Sequence, residues 1–461
     1  MTLKIYNTLS QKKEEFTLPR GASEVKIYTC GPTVYDRAHI GNLRSFVSAD
    51  ILVRTLTFLG FSVRQVMNIT DIDDKTIAGS QKAGVDLERF TAPFTEIFLN
   101  DLVQLNITKP TYNPKATEYI PAMIEFVDLL IKKGFAYVAK DGVYFSISKL
   151  PDYGCLAGLK EVSGNDARIS QDEYDKDNPG DFVLWKNRTA ADGDNYWSSP
   201  WGDGRPGWHL ECSVMATNLL GPTIDIHTGG IDLVFPHHTN EIAQAESATG
   251  ESPFSRFWFH TAFVNIDNSK ISKSLGNTID LKELGDKGKD PLAYRYWLLM
   301  THYRQPSNFT YQAIDGAESA LRRLVQKLSA LPDPDQNTGL PENYLRSFVD
   351  LISDDLNTPK ALALGWDLLT DKNISGDSKK AAWLEFDRVF GLNLSQKINS
   401  GSSFEIEFDR LPAEVQAMFW QREEARKEKK WAQADDLRDR LKELGWEVLD
   451  TPEGPKIRRS E

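Results

Sequence analysis

The sequence predicts an α/β protein: a doubly wound parallel sheet split by an α/β insertion, then a helical bundle and a small mixed C-terminal domain. Three observations predict this. Residues 24–29 (EVKIYT) read as a short strand running into a Cys30-Gly31-Pro32 turn. From Gly41, residues Leu43, Phe46, Val47, Ile51, Leu52, Leu56 and Leu59 recur at helical spacing until Gly60 stops them, and residues 61–67 (FSVRQVM) return to strand chemistry. That is a βαβ unit, the opening of a Rossmann-like sheet. Secondly, residues 114–200 mix helix-like and strand-like pieces with loops rich in Asp, Gly and Asn, and a second α/β half follows over 205–274. Thirdly, helical periodicity dominates beyond Thr301, as in Leu345, Phe348, Val349, Ile352 and Leu356. Residues 395–403 (SQKINSGSS) read as a linker, 414–430 as a charged helix and 445–449 as a strand. The expected divisions are 1–113 and 205–275 for the two halves of the sheet, 114–204 for the insertion and 276–310 for a connecting region. The bundle then covers 311–400 and the terminal domain 405–461.

Bulk properties narrow the function. A chain of 461 residues exceeds one ordinary domain. Its 40% hydrophobic and 26% charged residues are those of a globular protein. The amino terminus runs into polar Gln11-Lys12-Lys13-Glu14-Glu15, and no stretch of about 18 apolar residues follows, so neither export nor membrane insertion is expected. Three cysteines, Cys30, Cys155 and Cys212, are too few for a disulfide framework, which fits a cytoplasmic protein. A net charge of −12 argues against non-specific nucleic-acid binding but permits a selective RNA enzyme with a local basic surface.

Two short motifs suggest a nucleotide site. His39-Ile40-Gly41-Asn42 sits where a strand gives way to a helix, whose N-terminal N–H groups and dipole suit phosphate. Gly41 lets a base or ribose approach the backbone, and His39 can donate to charge developing on a phosphoryl oxygen. Lys270-Ile271-Ser272-Lys273-Ser274 places two lysines where they can grip a triphosphate. Singly, the first motif reads as a turn and the second as a solvated surface. Together, in this order, they resemble the HIGH and KMSKS signatures of class I aminoacyl-tRNA synthetases, with Asn42 in place of the last His and Ile271 in place of Met.

Cys30, Cys212, His237 and Glu241 form a sound tetrahedral set for Zn²⁺; if Pro236 opens a helix, the last two share a face. Spacing alone favours ordinary core packing, since widely separated ligands are a weak pattern. Longer motifs go further. Residues 28–36 (YTCGPTVYD), 68–75 (NITDIDDK), 181–186 (DFVLWK), 205–213 (RPGWHLECS) and 354–359 (DDLNTP) resemble the cysteinyl-tRNA synthetase family, and the likeness runs from about Ile5 to Arg459. The resemblance implies that ATP activates L-cysteine, which then passes to the 3′ end of tRNA-Cys. It implies zinc on those four residues with the substrate thiol as a further ligand, and Mg²⁺ with the ATP. It assigns catalysis to His39, Asn42, Lys270 and Lys273, with Gly41 and Asp232 completing the ATP site. Thr70, Trp208 and His227 would line the amino-acid pocket. His238 is read as a neighbour of the ligand, turned about 100° away on a helix, and Cys155 as packing. Residues 276–310 would contact the tRNA stem. Within 405–461, Arg426, Trp431, Asp435 and Asp450 fall where the family reads its anticodon, implying GCA. The chain is expected to be a monomer. Two rivals remain: a related ligase of the mycothiol pathway, which lacks the terminal domain, and a non-catalytic RNA-binding paralogue.

Overall fold

The structure, a computed structural model, describes residues 2–159, 180–271, 277–399, 411–451 and 454–459. The chain divides into two compact units.

The first unit takes in Met1–Asn265, Thr301–Ser307 and Val349–Ala361. It opens with an antiparallel hairpin, β1 (Lys4–Asn7) and β2 (Lys12–Glu15), in the stretch that reads only as polar. The βαβ unit follows as expected: β3 (Val25–Thr29), α1 (Ile40–Phe58) and β4 (Val63–Met67), with β3 and β4 parallel. Helix α1 is buried around most of its circumference. Leu43, Val47, Leu52 and Leu56 are inaccessible, and so is the charged Arg44, at 2% exposure. Arg44 is accommodated because its guanidinium donates to the backbone carbonyls of Phe263, His302, Tyr303 and Gln305. Helices α2 (Asp74–Ala83) and α3 (Leu87–Gln104) come next.

The insertion contributes α4 (Ile120–Lys132) and an antiparallel sheet of β5 (Ala136–Val138), β6 (Gly142–Phe145), β7 (Phe182–Asn187) and β8 (Gly204–Pro206). Its strands β6 and β7 stack Phe145 on Phe182, paired residues with rings 5.0 Å apart, and Trp185 of β7 is fully buried. Chain then returns to the main sheet through α5 (Trp208–Leu220), β9 (Ile224–Gly230), α6 (Thr239–Thr249) and β10 (Ser255–Thr261). The sheet order is β10-β9-β3-β4, all parallel, so the two halves either side of the insertion meet at β3 and β9. Strands reversing order at this seam create the crevice in which doubly wound folds bind ligands.

The second unit takes in Ile266–Met300, Asn308–Phe348 and Leu362–Glu461. At the boundary run the short strands β11 (Val264–Ile266), β12 (Ser269–Lys270) and β13 (Ser307–Phe309). Its helices are α7 (Leu281–Asp286), α8 (Pro291–Leu299), α9 (Tyr311–Ser329), α10 (Glu342–Ser353), α11 (Thr358–Thr370), α12 (Gly376–Phe390) and α13 (Leu394–Asn399), with the end of α10 and the start of α11 counted in the first unit. Phe348, Trp383, Phe386 and Phe390 pack at their centre. Two expectations fail here. Leu356 lies beyond α10, because Asp355 and Leu356 turn to positive φ, 61° and 54°. The linker read at 395–403 is helical up to Asn399, where Leu394 and Ile398 are buried; its remainder lies outside the described residues.

The C-terminal segment holds α14 (Ala413–Lys427), α15 (Trp431–Glu443), β14 (Trp446–Thr451) and β15 (Gly454–Arg459) around Val415, Phe419, Leu441 and Trp446. The charged helix expected to Lys430 ends at Lys427, with Lys429 at φ 60°, and a second helix restarts at Trp431.

Candidate metal and nucleotide sites

Four side chains converge at the carboxyl end of the seam. Cys30 follows the last residue of β3, Cys212 lies in the first half of α5, His237 just before α6 and Glu241 in its first turn. Their ligand atoms all lie within 4.8 Å of one another, and none of the four side chains is more than 8% exposed. A tetrahedral ion with bonds of about 2.3 Å to sulfur and about 2.1 Å to nitrogen or oxygen has predictable edges. They are about 3.8 Å between sulfurs, about 3.6 Å from sulfur to oxygen and about 3.4 Å from nitrogen to oxygen. Here Cys30 Sγ is 3.8 Å from Cys212 Sγ and 3.7 Å from Glu241 Oε1, and His237 Nε2 is 3.1 Å from Glu241 Oε1. The cage is thus already the size of a metal site.

A second layer holds the cage. His227 Nε2 meets Glu241 Oε2 at 2.8 Å, and His209 Nδ1 meets His237 Nδ1 at 2.8 Å. Such partners fix tautomers and orient ligands. His227, read from the sequence as a pocket residue, is fully buried behind Glu241 and stacked on Trp258 at 4.6 Å. His238 does not turn away from the cluster: its Nε2 lies 3.3 Å from Cys30 Sγ. Residues Val234–His238 form a wide turn ahead of α6 rather than its first α-helical residues. Cys30, His227, His238 and Glu241 form a second compact donor group. His238 Nδ1 in turn meets His260 Nε2 at 2.8 Å. His260 belongs to no motif; its position at the carboxyl end of a buried parallel strand was the available signal.

Electrostatics follow from this packing. Burial opposes ionisation of Cys212, yet the Cys30 thiol beside it and the His237 cation bring it down to about 6. Cys30 is pushed up, first by burial and then by Cys212. Burial also opposes charge on His237, but Cys212 and then Glu241 raise it to about 10. Glu241 is held down to about 2 because His227 and His237 outweigh its burial. Burial and then neighbouring His227 push His238 down and His260 down to about 3. Two thiols, an imidazole and a carboxylate at these distances can bind a divalent metal once Cys30 and His237 give up their protons.

The seam also presents the first nucleotide motif. His39 is the N-cap of α1, and its Nδ1 accepts from the Asn42 N–H at 3.2 Å. The neutral ring therefore carries its proton on Nε2, as a donor. Gly41 lies in the first turn of α1, and Asp232 is exposed just past the end of β9. Thr70 is buried, donating to Glu211 at 2.8 Å, while Trp208 is 41% exposed with its ring 4.3 Å from that of His237. Lys270 ends β12 in the second unit, exposed, its carbonyl accepting from Asn277; Lys273 lies outside the described residues. Arg426 lies in the last turn of α14, Trp431 opens α15 at 59% exposure, Asp435 pairs with Arg438 at 3.2 Å and Asp450 belongs to β14. Cys155 is exposed, so the packing role expected of it is incorrect: it is the first residue of a short turn, Cys155–Ala157, whose next residue, Leu156, is the buried one.

Comparisons give this geometry a lineage. Two solved structures share the fold. A Mycobacterium tuberculosis methionyl-tRNA synthetase in complex with methionyl-adenylate aligns with a TM-score of 0.57 at 14% identity, over 82% of this chain and 92% of the other. An Agrobacterium radiobacter leucyl-tRNA synthetase complex aligns with a TM-score of 0.57 at 12% identity, over 86% and 87%. The architecture is that of a class I aminoacyl-tRNA synthetase. Residues 17–319 match the class I (C) catalytic domain of tRNA synthetases, and residues 409–458 the cysteinyl-tRNA ligase anticodon-binding domain. Cysteine–tRNA ligases of Chlamydia felis and Chlamydia trachomatis serovar A are each 45% identical, over 99% and 100% of this chain and 98% and 100% of their own. That of Protochlamydia amoebophila is 42% identical over 99% and 98%. The chain belongs to the cysteine–tRNA ligase family.

Proposed function

We propose that the chain joins cysteine to tRNA-Cys in two steps, with zinc selecting the substrate. The observation that carries this is the cage of Cys30, Cys212, His237 and Glu241, whose edges match a tetrahedral zinc site. Bound there, zinc would hold the substrate as a thiolate, which a neutral serine hydroxyl cannot imitate, so discrimination exceeds the ~10²-fold that shape supplies. His227 keeps the Glu241 carboxylate in place, and Thr70 and Trp208 border the pocket. The substrate carboxylate then attacks the α-phosphate of ATP, forming cysteinyl-adenylate and releasing pyrophosphate. His39 donates from Nε2 to the charge that develops, beside the N–H groups opening α1. Asn42 holds the His39 tautomer through its own N–H, and Gly41 and Asp232 leave room for and bind the nucleoside. Lys270 and Lys273 follow the triphosphate and its Mg²⁺. The acyl group finally passes to the terminal adenosine of the tRNA.

Residues 405–461 read a GCA anticodon through Arg426, Trp431, Asp435 and Asp450, stacking and edge hydrogen bonds being how single-stranded bases are recognised. The catalytic halves are 1–113 and 205–275, the insertion 114–204, the stem contact 276–310 and the bundle 311–400. The protein works as a cytoplasmic monomer. No helix among the described residues is long and apolar enough to cross a membrane. Cysteine-dependent ATP–pyrophosphate exchange followed by charging of tRNA-Cys tests the proposal. Exchange without charging would favour an amino-sugar ligase, and absence of both would favour a non-catalytic paralogue.

A further inference from the structure

Arg44 is a buried cation that the nucleotide site so far leaves without a task. It stands a little over one turn into α1, the helix that His39 caps, and is 2% exposed. Its Nη1 donates to the Phe263 carbonyl at 2.7 Å, and its Nη2 reaches the carbonyls of His302, Tyr303 and Gln305. These acceptors come from two segments that also pair with each other. Ala262 donates its N–H to the Tyr303 carbonyl at 2.9 Å, and Ser307 to that of Phe263 at 3.1 Å. All of these residues belong to the first unit. From Phe263 the chain enters β11 and then β12, which ends at Lys270; from Gln305 it enters β13, the other neighbour of β11. One planar fork thus joins the helix of the first nucleotide motif to the base of the strands that lead to the second.

Asp355 holds the same segment through its side chains. It is fully buried at positive φ, 61°, with every polar atom engaged. Its Oδ1 accepts the Tyr303 hydroxyl at 2.6 Å and the Tyr6 N–H at 2.9 Å, and its Oδ2 accepts Arg304 Nε at 2.8 Å. The Asp355 carbonyl accepts His302 Nε2 at 2.8 Å, and its N–H donates to the Lys4 carbonyl at 2.9 Å. Tyr303 is also stacked on Phe259 of β10, with ring centroids 4.2 Å apart. Residues 302–305 are therefore fixed by their side chains while Arg44 takes their carbonyls. Burial alone calls for an apolar side chain, as at Leu43 and Val47 of the same helix. A buried guanidinium stabilises only once its donors are satisfied. What arginine adds is direction, because carbonyls of two segments are held at hydrogen-bond distance from one rigid group.

We infer that Arg44 is a positioning residue for adenylation: it sets where the base of the lysine-bearing strands lies against α1, so that His39 acts in step with the lysines that follow Phe263 in the chain. This rests on the proposed activity. The part Arg44 plays is indirect. Groups that serve one phosphoryl transfer must be placed closely, and a displacement of ~1 Å can cost about 10²-fold in rate. Cysteine binding is assigned to the cage, which takes none of its residues from these segments.

The test compares Arg44→Lys with the wild-type full chain, both zinc-loaded, in cysteine-dependent ATP–pyrophosphate exchange and in calorimetric binding of cysteine. Lysine keeps a cation in place but lacks the fork that spans both segments. The exchange kcat should fall ~10- to 100-fold, with the dissociation constant of cysteine changed less than about twofold. An arginine that only stabilises the fold would give a variant with a lower denaturant midpoint and wild-type kcat, and that result overturns the inference. A loss of kcat matched by an equal loss of cysteine affinity overturns it too, as general damage to the unit. Where Arg44→Lys fails to fold, Asp355→Asn is read in the same way, because it loosens the segment Arg44 grips and leaves Arg44 in place: selective loss of kcat supports the inference and any other pattern overturns it. Wild-type chain without cysteine-dependent exchange would overturn the proposed activity together with this inference, whereas wild-type exchange with a silent or unselective variant overturns this inference alone.

Discussion

At the Cys30-Gly31 turn the chemistry of the site depends on the lack of one methyl group. A Cβ on Gly31 would stand 1.6 Å from the Asn68 carbonyl oxygen, and the Gly31 N–H is bonded to the Asn68 side chain. The turn aims Cys30 at the cage, so Gly31→Ala should cost at least about 2 kcal/mol of stability, read by denaturant unfolding, and lower zinc occupancy. Wild-type stability and metal content would contradict this account of the turn. Cys212→Ser should lose zinc and weaken cysteine binding; unchanged zinc content in that variant would refute the ligand assignment. His39→Ala removes a donor expected to act mainly in the transition state, so kcat for pyrophosphate exchange should fall about 10²-fold or more with little change in KM for ATP. Of the cage residues, Cys30 and Cys212 stood in long motifs, whereas His237 and Glu241 were picked out by their four-residue spacing after Pro236. The places of His238 and His260 were not legible. They depend on the wide turn before α6 and on the register of β10 beside β9, neither of which has a local sequence signal.

At the scale of elements, β3-α1-β4 was readable because alternation, helical spacing and a stopping glycine coincide within one stretch. The β1–β2 hairpin was not, since Lys12–Glu15 is four charged residues in a row and pairs mainly through its backbone. The sequence carries α14 on to Lys430 because residues 427–430 are uniformly charged and hold no glycine, although Lys429 turns to positive φ, and α15 beyond it went unread. How the insertion is held to α2 was also invisible: Arg205 of β8 binds Asp74 and Asp192. Burial would raise the Asp192 carboxyl, but Arg205 and then Thr189 outweigh it and hold it below the ordinary range. A depressed folded value means stability present above the unfolded pKa of about 3.9 and lost as pH falls through the folded one. Arg205→Met should therefore cost ~2 kcal/mol at pH 7, with the gap to wild type shrinking below about pH 4. A gap constant down to pH 3 would show that packing, not charge, gives Arg205 its weight.

For the whole molecule, the −12 charge argues against indiscriminate RNA binding, and the proposal assigns selection to local features such as the exposed Trp431 and its lysine-rich flank. Activation and RNA reading use different parts of the chain. Removing residues 405–461 should leave cysteine-dependent pyrophosphate exchange within about threefold of wild type, yet reduce charging of tRNA-Cys by 10²-fold or more through KM for the RNA. The central claim is that a zinc-bearing cage chooses the thiol substrate, and the most direct measurement is amino-acid-dependent ATP–pyrophosphate exchange by the zinc-loaded full chain, with cysteine and serine compared at equal concentration. Exchange is expected with cysteine, and kcat/KM for serine should be lower by far more than ~10²-fold, the limit of discrimination by shape. Comparable exchange with serine, or undiminished cysteine preference after zinc is stripped, would contradict it.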